Sequence, residues 1–293
     1  MSTVQEARAL ASGTRERRGR RPSTLTVWRW ELRKLIAQKR TYLGLGLAVA
    51  LPLIFVGVQL ARGGRGHERG NIFASHITQS GLATPVLMLL FLAAFMLPLI
   101  AALVAGDVVA NEDGNGTLKT ILTRSVDRGQ VFAAKTLTAL TYAAVAVFVS
   151  AGVATVAGVA AWGFNAVITF SGSVVAAPEG LGLVLVANAC YLMPLFGVTA
   201  IGVLLSTATR NSAASVVGTV GVVILMYIVS GIPGIEGVRP YLLTEQFQSW
   251  QGLLRTPTYW APIGHSAWVS ALYGVPALVA GYLVFLRRDV AGG

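Results

Sequence analysis

Long apolar runs separated by short polar breaks dominate this chain, and their length predicts its elements. A helix rises about 1.5 Å per residue and the hydrocarbon core of a bilayer is about 30 Å thick, so about 20 mainly apolar residues cross it. Six stretches reach that length: 41–60, 81–108, 131–161, 181–205, 213–230 and 266–286. The second and third are long enough to tilt or to project beyond the lipid, and Pro85 and Pro98 are placed to bend the second. Ahead of the first run, Leu25, Trp28, Leu32, Leu35 and Ile36 recur at helical spacing while Arg29, Arg33, Lys34 and Lys39 take the other faces. That pattern predicts an amphipathic helix along the inner membrane surface, a depth that suits Trp28, Trp30 and Arg33. The expected fold is therefore an all-α integral membrane protein with six transmembrane helices. Residues 1–22 form a basic disordered tail, 23–40 an interfacial helix and 41–288 the transmembrane domain. Within that domain, 107–130 is an inner loop and 231–265 an outer loop or re-entrant segment.

Composition supports lipid as the solvent. Hydrophobic residues make up 54% of the 293, charged residues only 12%, and the mean hydropathy is +0.66. So little charge does not cover a soluble enzyme. The net charge of +11 fits nucleic acid or an anionic membrane surface, and position separates the two. Of 23 Lys and Arg, 11 precede Thr41, directly before the first apolar run, and nothing downstream resembles a groove-reading domain. Cytoplasmic loops carry the excess of Lys and Arg. With six spans, 18 of the 23 fall on the side that holds both termini, so both termini are expected in the cytoplasm.

Candidate chemistry within the spans is sparse. Cys190 is the single cysteine, so no disulfide within the chain is expected. Asp107 lies at an inner edge, and His67, His76 and His265 at or beyond outer edges, with no spacing that predicts a metal site. Ion-coupled carriers keep ionisable groups at membrane depth and channels ring their pores with polar ones; neither pattern is present. Asn188, Tyr191 and Gln59 are the polar groups in or near spans, suited to bonding between helices or to lining a path. The outer segment sets Phe247, Trp250, Tyr259 and Trp260 among four prolines, and its 242–254 portion is expected to form a short interfacial helix with these rings as an anchoring belt.

The most informative segment runs from Asp107 to Lys135. Gly114 and Gly116 permit a sharp turn after the second span, and Leu118, Ile121 and Leu122 then form an apolar ridge on a short helix. Such a helix, facing the cytoplasm with charged ends, is a docking element. Glu112, Gly116, Thr117, Leu118 and Leu122, followed by Arg128 and Lys135, resemble the signature of type-2 ABC exporter permeases. The resemblance extends to the plan of an amphipathic helix, six spans and a long inner loop between the second and third. One departure is the lack of any proline between Pro98 and Pro178, where the family usually has one near Arg124.

The resemblance implies that residues 107–130 carry a coupling helix, with Leu118 and Leu122 entering a separate cytosolic ABC ATPase and Glu112 steadying the turn. It implies a dimer of permeases, expected to be a homodimer, bound to two ATPase subunits that hold the ATP and Mg. This chain itself would bind no cofactor and no nucleic acid and break no bond, and would sit in a bacterial or archaeal cell membrane. Residues 129–136 nearly fit a phosphate-binding loop, but Ala134 replaces the required second glycine and the stretch opens a span. The competing reading is a channel, an immunity protein or a carrier not driven by ATP.

Overall fold

The computed structural model describes residues 23–61, 80–114 and 127–287. Helix α1, Thr24–Ile36, is opened by the Ser23 side chain, which accepts from Thr26 N. It turns at Ala37 into α2, Lys39–Ala61. The second apolar run is broken: α3, Ala83–Leu87, passes through a π-helical turn, Met88–Ala93, into α4, Ala94–Ala105, and a tight turn leads to the single-turn α5, Ala110–Gly114. Then come α6, Arg128–Trp162, a hairpin of β1, Val167–Ile168, and β2, Val174–Val175, and α7, Ala177–Thr209. Helix α8, Ser212–Ser230, two 3₁₀ segments, Arg239–Tyr241 and Glu245–Leu254, and α9, Ala261–Arg287, complete the chain.

Six helices among the described residues are long and apolar enough to cross a membrane: Lys39–Ala61, Ala94–Gly114, Arg128–Trp162, Ala177–Thr209, Ser212–Ser230 and Ala261–Arg287. The protein is an all-α membrane protein, with a two-residue hairpin that the hydropathy pattern did not predict. At about 1.5 Å per residue the 35 residues of α6 span about 50 Å, well beyond a 30 Å hydrocarbon core. Helix α7 packs along α9, α8, α6 and α4, and so forms the centre of the bundle. Small residues admit close approach at several helix contacts, as expected where lipid supplies no hydrophobic drive between helices. Gly81 and Gly158 are the clearest case, since a Cβ on either would overlap the backbone of the other.

The two ends of the bundle differ. The base, where α1 lies against the start of α6, is ionic. The distal end is closed by the 245–254 segment, whose Phe247, Trp250 and Leu253 recur every three residues. In a 3₁₀ helix such positions eclipse into one ridge, and here the ridge is buried, with Phe247 against Tyr191 at a ring separation of 4.9 Å. The hairpin closes over it: Phe170 N donates to Leu254 O at 3.1 Å, and its ring lies 6.2 Å from that of Trp250. Phe247 and Trp250 are therefore core residues, not the belt expected of them, whereas Tyr259 and Trp260 are exposed. Hydropathy identifies an aromatic segment but does not distinguish the 3₁₀ period, which turns two of its rings inward.

Candidate coupling site

Beyond Ala105 the second span loses its apolar character, and the turn plus α5 place Asp107, Glu112 and Asp113 at the base within seven residues. The local conformation is held from outside: the Ser206 hydroxyl, fully buried on α7, accepts from both Val109 N and Ala110 N at 3.1 and 3.0 Å. It thus satisfies two amide donors that a helix start leaves free.

Each carboxylate then reaches a cation on a different element. Asp107 pairs with Arg40 at the start of α2 and accepts a hydrogen bond from Ser212 Oγ at the start of α8. Asp113 lies 3.7 Å from Arg210, an exposed residue in the left-handed conformation (φ 56°) that ends α7. Glu112 is the most elaborately held. Its Oε1 is 3.1 Å from Lys34 Nζ and its Oε2 is 2.6 Å from Lys135 Nζ, while Glu31 of α1 contacts the same two ammonium groups at 3.1 and 3.0 Å. Two lysines and two carboxylates alternate around a ring of no net formal charge. The Lys135 side chain is 0% exposed, that of Glu31 8% and that of Glu112 15%, whereas Lys34 at 46% faces outward.

A desolvated lysine is costly unless its charge is matched, and here it has two carboxylate partners. Lys135 also lies ten residues from the middle of α6, so about 15 Å along the axis, at the edge of a 30 Å core. Burial pulls the Lys34 ammonium down, but the charges of Glu112 and then Glu31 outweigh it and hold its pKa above the usual lysine value. A cavity of about 30 Å³ borders the ring, lined among others by Gln38, Asp107, Asn111 and Thr138; that volume accommodates about two waters.

Helix α1 thus buries a stripe of Val27, Glu31 and Leu35, not the purely apolar face expected of it. Leu25 and Ile36 point outward, while Trp28 and Leu32 are half-buried. Trp30 and Arg33 are exposed, as an interfacial helix allows. Arg128 turns to the bundle itself: its Nη1 donates to Leu286 O at 2.9 Å, tying the start of α6 to the end of α9. Asn188 and Tyr191 are buried within the bundle. Asn188 Nδ2 donates to Val184 O at 2.8 Å and borders a small apolar cavity between α2, α4 and α6, and Tyr191 packs on Phe247. Gly116, Thr117, Leu118 and Leu122 lie outside the described residues.

Chemically the base is a linkage. Displacing the turn and α5 together, residues 107–114, draws on α1, α2, α6, α7 and α8 through charged or hydrogen-bonded contacts. Residues 28–230 match the family described as ABC-2 family transporter protein. This chain belongs to the ABC-2 transporter family. No curated protein matches it significantly. An ABC-2 membrane protein is the non-catalytic permease subunit of an ABC transporter, and such subunits work with a cytosolic ATPase. The family match covers α1 from Trp28 through α8, and so contains every residue of the ionic ring. Sequence reasoning found Glu112 and Lys135 through the ABC-2 signature and missed Glu31, Lys34 and Ser206. Glu31 had a signal: it is the sole acid in α1, four residues from both Val27 and Leu35. Ser206 had none, being one hydroxyl in an apolar run.

Proposed function

We propose that the protein is the membrane half of an ATP-driven exporter. Two copies assemble as a homodimer on two cytosolic ATPase subunits, which hold the ATP and Mg²⁺, and the spans alternate between inward and outward access. In this reading the base of the bundle is cytoplasmic and residues 115–126 carry the docking helix, with Leu118 and Leu122 as its apolar ridge. The observation that carries the reading is the fastening of residues 107–114, which immediately precede that loop, to five other helices: Asp107 to α2 and α8, Glu112 to α1 and α6, and Asp113 with the Val109 and Ala110 amides to Arg210 and Ser206 at the end of α7. A push delivered to the loop enters the bundle as displacement of a body already tied to most of the spans. Glu112 holds the loop's root, Arg128 holds its far end on α9, and Asn188 and Tyr191 respond from within the protomer.

The test is co-purification with an ABC ATPase encoded beside this chain. Leu118→Asp/Leu122→Asp is expected to lose the complex while the permease still folds. Glu112→Ala is expected to keep the complex but to lower transport-linked ATP hydrolysis about tenfold. Full binding and full stimulated hydrolysis in both variants would overturn the docking assignment, and failure of the wild type to bind any ATPase would overturn the ATP-driven reading.

A further inference from the structure

Helix α1 has a second charged face that the ionic ring does not use. Glu31 and Lys34 are committed to that ring and Arg40 to Asp107. Arg29 and Arg33 on α1, and Lys39 just beyond it at the first residue of α2, are exposed and have no ion pair among the described residues. At 100° per residue, Arg29 and Arg33 lie opposite the buried Val27–Glu31–Leu35 stripe, flanked by Leu25 and Ile36. Leu25 is 53% exposed and Ile36 59%, and Trp30 at 48% stands on the other flank. Water suits the cations of this surface but not its apolar flanks. A face that mixes cations with large apolar side chains and an indole is matched to the lipid headgroup boundary, where phosphate meets acyl chain. Its height agrees: α1 contacts α6 at Lys135, two turns into that helix and at the edge of the hydrocarbon core.

We infer that Arg29, Arg33 and Lys39 form a binding surface for the phosphate of anionic phospholipids, with Leu25, Trp30 and Ile36 seated against the acyl chains. A phosphodiester is the complementary partner because guanidinium pairs with phosphate in a two-pronged geometry and the apolar flanks need a lipid tail. Since the same helix holds Glu112 through Lys34, and through Glu31 by way of Lys135 on α6, lipid charge is read one helix diameter from the root of the 115–126 loop. The inference stands apart from ATP-driven export, because binding of lipid to the purified chain requires no ATPase.

The experiment titrates the full chain in detergent with a short-chain phosphatidylglycerol, a matched phosphatidylcholine and free glycerol phosphate, reading bound lipid by native mass spectrometry. Wild type is expected to prefer phosphatidylglycerol over phosphatidylcholine and to ignore glycerol phosphate. A cation near an anionic surface is worth about fivefold in affinity, so R29Q/R33Q/K39Q is expected to lose on the order of a hundredfold. R29K/R33K, which keeps the charge but not the two-pronged pairing, is expected to lose part of the preference but less than the glutamine variant, and R15Q/R17Q/R18Q in the basic tail likewise to lose less than the helix variant. Equal affinity of wild type for the two lipids, or an equal loss in the tail and helix variants, overturns the assignment. So does strong binding of free glycerol phosphate, which would mark a soluble anion site. Unchanged lipid binding with loss of a partner ATPase in the triple variant would give this face to the ATPase instead. Unchanged helical circular dichroism and melting of the triple variant make its loss readable.

Discussion

Lys135 shows how a charge persists in an apolar molecule. Its ammonium is completely buried, but it lies within 3.0 Å of Glu31 and 2.6 Å of Glu112. Replacing a buried pair wholesale is often tolerated, whereas removing one partner leaves the others uncompensated at about 3–5 kcal/mol. Lys135→Met is therefore expected to destabilise the protein by about 3 kcal/mol or more, since Lys34, half in solvent, cannot screen both carboxylates alone. Equilibrium unfolding in mixed micelles measures it; a loss below about 1 kcal/mol would mean that the ring contributes no more than a surface ion pair. Arg210 marks the other extreme, with a 3.7 Å contact from an exposed side chain and little energy at stake.

At the scale of elements, α1 is held to the bundle by one apolar stripe and one ionic ring, and the ring gives that attachment a pH dependence. Because Lys34 titrates above the usual lysine value in the folded protein, its contribution is present below about pH 10.5 while its carboxylate partners are ionised, and is lost as pH rises through the raised value. On the alkaline side helix α1 is accordingly expected to loosen only in strong alkali, and Lys34→Arg, which keeps its charge, to shift that loosening upward. Hydrogen exchange of the α1 amides or melting between pH 9 and 12 distinguishes the two; superimposable curves would remove Lys34 from the account. Packing of α3 onto α6 rests on contact instead of charge. Gly158→Ala drives a methyl into the Gly81 backbone and the Thr84 side chain, and the cost is expected to be about 1–3 kcal/mol, as for other overpacked interiors. An unchanged melting temperature in Gly158→Ala would show that the helices part without penalty.

For the whole molecule, legibility in the sequence followed the physics of each feature. All six spans were readable because span length is dictated by bilayer thickness, and the structure places helices over each expected stretch. The break in the second was readable only as the two prolines, not as the π turn at Met88–Ala93 between them. Glu112 and Lys135 were visible through the ABC-2 signature, but their meeting with Glu31 and Lys34 joins residues 78 and 104 apart, and no local period reports a long-range pair. The distal end was misjudged for the same reason: whether Trp250 faces lipid or Tyr191 depends on how 245–254 folds back over α7.

The order in which the ionic ring is strung along the chain bears on how the protein is made. Glu31 and Lys34 leave the ribosome first, then Glu112, and Lys135 last, so the one fully buried charge enters the membrane when both of its counter-ions are already there. The ionic ring is thereby complete before the residues that tie Asp107 and Asp113 to α7 and α8 have been made. The seal at 245–254 instead draws on Phe170, Tyr191 and Ser266, and so forms after the ring. A nascent permease is thus fastened first at the end where its α1 lies, and stays open at the other until α9 has begun to emerge.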